Sequence, residues 1–172
     1  LKSHRGEVAL PGGKIDKTDR DFIATALRES HEEIALPPTA VEVLGELDPM
    51  VTRFGVKVVP VVGVIAPDVV LTPSPDELDS IFRVPLSFFL RDERTRTDRG
   101  TVDGHAVAVP CWQWQQYEIW GVTAIILVNF MNRVLGQNIH TGVESLAQKT
   151  NGMIMPEEWL TDEDKQARDS KT

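Results

Sequence analysis

Three carboxylates stand close together in the short stretch Arg28-Glu29-Ser30-His31-Glu32-Glu33-Ile34. Glu29, Glu32 and Glu33 are spaced i, i+3 and i+4, and at about 100° per residue an α-helix projects all three from one side. Carboxylates that close repel one another unless a cation neutralises them. Mg²⁺ and Mn²⁺ prefer hard oxygen ligands, and Mg²⁺ characteristically shares a few carboxylates with substrate phosphates. Gly12-Gly13 lies ahead of the stretch, and a loop without side chains lets backbone amides and carbonyls come close to a metal or a phosphate. Arg28 can pair with Glu32 one turn on, or orient Glu29. The same acids read equally as a solvated helix face, so the spacing alone leaves two readings open.

The elements that must position these groups begin with a helix. Thr18 is a candidate cap, with Asp19 and Asp21 placed in the first turn, where the helix dipole favours anions. Phe22, Ile23, Ala26, Leu27 and Ile34 form an apolar stripe at helical spacing, and Pro37-Pro38 ends the helix. Strand-like runs follow at Val41 to Leu47 and at Val56 to Ile65, where Pro60 implies an edge, a bulge or two short strands. Residues 72–77 read as a loop, Pro85 to Leu90 as a short helix and residues 91–105, polar and rich in Arg, Asp and Thr, as an exposed loop. Ala106 to Tyr117 reads as a strand or hairpin arm and Glu118 to Leu135 as a second helix. Periodicity weakens beyond Gly136, and residues 156–172 read as a loose polar tail. With no internal repeat, the pattern is a mixed α/β or α+β sandwich. One domain is expected over residues 1–136, with a C-terminal extension over 137–172.

Composition narrows the partners. The chain has 172 residues, with 18 Lys plus Arg against 26 Asp plus Glu and a formal charge of −8, which argues against a nonspecific nucleic-acid binder. A phosphate ligand would then need a metal ion to offset its charge. The single cysteine, Cys111, excludes an internal disulfide framework and any cysteine-based zinc cluster. The longest apolar stretch, Val122 to Met131, carries Thr123 and Asn129 and falls short of the roughly 20 residues that span a bilayer. It reads as a buried helix, and no membrane partner is expected. The sequence opens with Leu1 and has no signal segment ahead of the apolar runs, so it reads as a fragment or a processed form. A soluble intracellular protein is expected, with cytoplasm, mitochondrion and peroxisome all open.

The order of loop, Gly-Gly, helix and Arg-Glu-x-x-Glu-Glu resembles the Nudix box, G-x5-E-x7-R-E-U-x-E-E-x-G-U, where U is a bulky aliphatic residue. Arg28, Glu29, Glu32, Glu33 and Leu36 align directly; Ser30 replaces the first aliphatic and Ala35 the glycine. Counted from Gly13, Asp19 fills the acidic position, with one extra residue before Arg28; strict spacing back from Arg28 puts Arg20 there, which weakens any role for Asp19. The flanks are similar to the coenzyme A diphosphatase branch. Leu10-Pro11-Gly12-Gly13 looks like the end of its preceding motif, with Leu10 in place of Phe, and Asp16-Lys17-Thr18-Asp19 and Trp120-Gly121-Val122-Thr123-Ala124 match two later segments. Members of that family carry several strands ahead of the box, which this sequence lacks.

The resemblance implies a Nudix α/β/α sandwich with a mixed sheet, and a diphosphatase using Mg²⁺ or Mn²⁺. The substrate it implies is coenzyme A and its derivatives, cleaved to 3′,5′-ADP and 4′-phosphopantetheine. ADP-ribose, dinucleotides and nucleotide sugars are the alternative substrates, and an inactive Nudix-fold binding module the alternative class. Glu29 and Glu33 are the first metal ligands expected, with Glu32 next and the Gly12 carbonyl after it. Arg28, Glu29, Glu32, Glu33 and Glu77 form the catalytic set, with a box glutamate or Glu77 as general base. Glu77 can equally cap its turn. His4 and His31 are phosphate or base contacts, or surface residues. Trp112, Trp114 and Trp120 stack on adenine or pack the core, and the arginines of residues 91–99 meet a phosphate or decorate a solvated loop.

Overall fold

Residues 6–51, 56–102, 104–142 and 153–154 are described by the computed structural model, a mixed helix-and-sheet fold. His4 and the tail expected over residues 156–172 lie outside them. Among the described residues two compact units emerge, interleaved along the sequence: residues 9–47 with 59–83, and residues 6–8 with 48–51, 56–58, 84–102, 104–142 and 153–154.

The first unit is built on α1 (Phe22–Ile34), which is followed by a 3₁₀ turn (Pro38–Ala40) and β1 (Val41–Glu46). The helix cap differs from the sequence expectation. Asp21, in extended conformation, is the N-cap, and its Oδ1 accepts from Ala24 N at 2.7 Å. Thr18 instead turns its hydroxyl to Asp16 Oδ1 at 2.8 Å, because the loop ahead of the helix closes on itself before the helix begins. The helix ends at Ala35, whose φ of 55° and ψ of 30° lie in the left-handed region. Ala35 N donates to His31 O at 3.1 Å and Leu36 N to Ser30 O at 3.3 Å. A β-carbon in that region costs roughly 1–2 kcal/mol, and this is the box position that glycine ordinarily fills. β1 pairs antiparallel with β4 (Val61–Ile65), from Val41 opposite Ile65 to Glu46 opposite Val61, with a bulge between Val43 and Gly45.

The second unit holds β2 (Met50–Val51) and β3 (Lys57–Val58), so Val56 to Ile65 divides into two short strands around Pro60. β2 pairs antiparallel with β3 and parallel with β8 (Met153–Ile154), a mixed sheet. After α2 (Leu86–Leu90) come β5 (Arg94–Val102), β6 (His105–Trp114) and β7 (Tyr117–Ile119), an antiparallel sheet in that order. β5 overturns the exposed loop expected at residues 91–105. Its alternation of Arg, Thr and Asp has no apolar signal, but it pairs with β6 from Arg94 opposite Trp112 to Val102 opposite His105. α3 (Gly121–Val134) starts after Trp120, three residues later than the sequence suggests, because Tyr117–Ile119 completes the sheet first.

Met50, Phe88, Phe89, Val109, Trp112, Ile125, Val128 and Met131 pack the core of this unit, and each such side chain contributes roughly 1.5–3 kcal/mol. Trp112 and Trp114 are core residues: Phe89 meets Trp112 edge-on at 5.2 Å between ring centres, and Phe88 meets Trp114 at 4.9 Å. Asn129 Nδ2 donates to Asp48 O at 3.2 Å and Thr123 Oγ1 to Val8 O at 2.8 Å, so the polar residues of the apolar helix are satisfied. No helix among the described residues is long and apolar enough to cross a membrane.

Two measurements check this description. Ala35→Gly relieves the left-handed strain while making the unfolded chain more flexible by about 0.4–1 kcal/mol. The expected net gain is on the order of 0.5–1 kcal/mol, read as a higher denaturant midpoint at unchanged slope. Cys111 is fully buried and its Sγ donates to Asp98 Oδ2 at 3.0 Å; burial, reinforced by Asp98, pushes the thiol up to about 12. A disulfide reagent should leave it unlabelled until the protein unfolds. Between its ordinary value of 9.0 and about 12 the folded state retains a proton that the unfolded thiol has released, so this contribution to stability is lost as pH rises through that window.

Candidate active site

The loop ahead of α1 and the helix itself meet at Arg28. Its Nε donates to Asp19 Oδ1 at 3.0 Å and its Nη2 to Asp19 Oδ2 at 2.9 Å, a two-pronged pairing of guanidinium and carboxylate. Nη2 also reaches Lys14 O at 3.0 Å, while Nη1 donates to Glu29 Oε1 at 2.9 Å and Glu32 Oε2 at 3.2 Å. Both roles open to Arg28 in the sequence are therefore realised at once: it bridges to Glu32 and it holds Glu29.

Asp19 is a correction to the sequence reading. The extra residue between it and Arg28 does not remove it from the site. Its carboxylate is 5% exposed and accepts from Asp16 N at 2.8 Å and Thr25 Oγ1 at 2.9 Å as well as from Arg28. The Arg28 guanidinium, with the Asp16 amide, holds the Asp19 carboxyl well below the usual carboxylate range. Arg28 is in turn raised, by Asp19 first and Glu29 second. Arg20, the residue that strict spacing favours, is exposed and faces Asp21 at 3.3 Å. Only a count from Gly13 forward, rather than from Arg28 back, finds Asp19 in the sequence.

Glu33 is treated differently from its neighbours. It is 6% exposed, and its hydrogen bond among the described residues comes from Gly12 N to Oε2 at 3.0 Å. Burial pushes its carboxyl above the ordinary value, opposed by the Gly12 amide and reinforced by the negative charges of Glu29 and Glu77. Glu77 is brought there by backbone. Thr72 N donates to Ile34 O at 3.0 Å and Ser74 N to Glu33 O at 2.7 Å, sealing carbonyls left open at the helix end. Glu77 N and Leu78 N then both return to Ser74 O, at 3.1 and 2.9 Å, so Glu77 rides on a turn anchored to Glu33 itself. No sequence signal gives that anchor. Gly13 passes so close to Glu29 that a β-carbon there would overlap the carboxylate. His31 is exposed on the helix.

The donor chemistry suits a hard divalent cation. Glu33 is a buried carboxylate facing two further acids, with an amide rather than a basic side chain on it, and every candidate ligand is oxygen. Among the described residues, however, the acids are not gathered into a group of three that could enclose a metal. Glu29 and Glu32 are drawn onto Arg28 and Glu33 onto Gly12.

A glycine loop laid against an Arg-Glu-x-x-Glu-Glu helix defines a class. The NUDIX domain family matches residues 1–104, and the chain belongs to the Nudix family. It is similar to the protein named Uncharacterized Nudix hydrolase NudL of Enterobacter sp. (strain 638), 43% identical over 127 residues, which is 74% of this chain and 66% of that protein. It is also similar to the protein of that name in Escherichia coli O7:K1 (strain IAI39 / ExPEC), 45% identical over 131 residues, with the same shares covered. The match thus spans just under two thirds of the length of these relatives.

Asp19→Asn tests the clamp. Losing one unit of charge from a carboxylate shared by Arg28, Asp16 and Thr25 should lower the thermal midpoint at pH 7. A carboxyl held below its ordinary value of 3.8 contributes stability above that pH and loses it as pH falls further. The gap between wild type and variant should accordingly be full at neutral pH and narrow only in strong acid.

Proposed function

We propose that the protein hydrolyses the diphosphate linkage of nucleoside diphosphate derivatives, with Mg²⁺ or Mn²⁺, and that coenzyme A and its derivatives are its substrates. The observation that carries the hydrolase reading is the buried Glu33 carboxylate, held by the Gly12 amide and facing Glu29 and Glu77. That arrangement accumulates negative charge at the end of a glycine loop, where structural packing alone would disperse it. The name hydrolase carried by the relatives agrees with it. The choice of coenzyme A rests on Leu10-Pro11-Gly12-Gly13, on Asp16-x-Thr18-Asp19 and on Trp120-Gly121-x-Thr123-Ala124.

Glu29, Glu32 and Glu33, with the Gly12 carbonyl, would hold the cation, which when bound supplies positive charge for the diphosphate oxygens and makes an attacking water more acidic. In the hydrolysis the water oxygen bonds to one phosphorus, the bridging P–O bond breaks with its electron pair leaving on the other phosphate, and the water's proton passes to a carboxylate. Glu77 and the box glutamates are the candidate bases for that task. Arg28 acts through other residues: secured by Asp19, it fixes the direction of Glu29. With coenzyme A, the products are 3′,5′-ADP and 4′-phosphopantetheine.

The test is hydrolysis of coenzyme A with Mg²⁺ or Mn²⁺, products identified by mass, with ADP-ribose, NADH and a nucleotide sugar in parallel. Glu33→Gln should lower turnover by roughly 10²–10⁴-fold, the range for losing a positioned proton acceptor, while leaving the circular dichroism spectrum unchanged. Preference for another of the diphosphates keeps the hydrolase and changes the substrate. Turnover of none of them defeats the proposal.

A further inference from the structure

β5 is nine residues long and, among the described residues, has β6 as its one strand neighbour. Its other edge presents backbone groups whose identity can be worked out. In an antiparallel pair, opposed residues alternate between exchanging two backbone hydrogen bonds and pointing both groups away from each other. Pro110, opposite Thr97, has no N–H to exchange. Ala108, two residues away and opposite Arg99, sends its N–H to Thr141 O at 2.7 Å, on the side away from β5. Both observations set the same phase. The N–H and C=O of Thr97, Arg99 and, by alternation, Thr101 point away from β6, to the open edge.

We infer that this edge pairs with the same edge of a second copy of the chain, antiparallel about a two-fold axis at Thr97, joining two three-stranded sheets into one of six strands. The axis position follows from charge and overlap. An axis at Arg96, Asp98 or Arg99 sets a residue opposite its own like charge, an axis at Thr95 sets Arg94 opposite Arg96, and an axis at Gly100 or Thr101 leaves at most five residues of β5 to pair, against seven at Thr97. At Thr97 no like charges meet, and Arg96 of each copy stands opposite Asp98 of the other, an opposite-charge cross-strand pair made twice. Within one copy these groups are already engaged, Arg96 Nε with Asp98 Oδ1 at 2.9 Å, Arg96 Nη1 with Glu118 and Asp98 Oδ2 with the Cys111 thiol, so the cross-strand pair forms by turning them from those partners. The outward amide and carbonyl of Thr97 then bond to those of its symmetry mate. A contact of this kind is isologous and closes on itself, which distinguishes it from open-ended edge aggregation.

The experiment is sedimentation analysis of the 172-residue protein over a concentration series from sub-micromolar to submillimolar, with two variants. Thr97→Pro removes an amide that does not serve the β5–β6 ladder, and proline is tolerated at such an edge position. It should keep the circular dichroism spectrum and weaken dimerisation roughly tenfold or more, since two symmetric hydrogen bonds are lost. Thr97→Cys places its sulfurs across the axis on α-carbons about 5.5 Å apart, within disulfide range, and should yield a covalent dimer on mild oxidation, with the buried Cys111 taking no part. A monomer throughout the series, whatever else then covers the edge, overturns the inference. So does a dimer that Thr97→Pro leaves intact at wild-type strength. Should the proline variant fail to fold, absence of the covalent dimer from Thr97→Cys overturns it by itself.

Discussion

The guanidinium of Arg28 is the point through which the first unit organises its charges. Six nitrogen–oxygen contacts fix it to Asp19, Lys14, Glu29 and Glu32, and a planar donor fork can be satisfied that fully only when the loop and the helix are both in place. Lys14 and Asp19 belong to the loop, Glu29 and Glu32 to the helix. Arg28 therefore carries information from one to the other: the loop cannot move without turning the glutamates. A lysine at this position would keep the charge and lose the fork.

Glu33, one residue beyond Glu32, escapes this arrangement. Its side chain is anchored by Gly12 and its main chain by Ser74, so both ends of the residue are held, from opposite directions in sequence. The carboxylates that Arg28 grips are neutralised within the protein. The one it does not grip is buried against further acids and has its proton affinity raised. A site that must receive a polyanion together with a cation gains from that division, since part of its charge is satisfied beforehand and part is left for the ligand.

Much of this was legible in the sequence, and the exceptions have a common cause. The helix over Phe22–Ile34, its carboxylate spacing and the division of Val56 to Ile65 at Pro60 all depend on local side-chain chemistry, which the sequence displays directly. Asp21 as cap instead of Thr18 is a choice between two capping residues three apart, decided by how Asp16 closes the preceding turn. β5 reads as a loop in the sequence because a strand of Arg, Thr and Asp has no hydrophobic period; pairing with β6 makes it a strand. The anchoring of Thr72 and Ser74 on the end of α1 is made by backbone groups alone, and backbone bonds leave no mark on residue identity. Asp19 falls out of the box pattern because an insertion shifts a count, whereas a carboxylate on a bending loop meets its partner in space.

The sealing of α1 by residues 72–74 also has a kinetic meaning. An amide in a surface loop ordinarily exchanges its hydrogen with solvent quickly, yet those of Thr72 and Ser74 are bonded to helix carbonyls. They exchange only when those bonds to the helix end break, so the loop is held to α1 at two points. The backbone that carries Glu77 is thereby tied to the backbone of Glu33 and does not move as a free surface loop does.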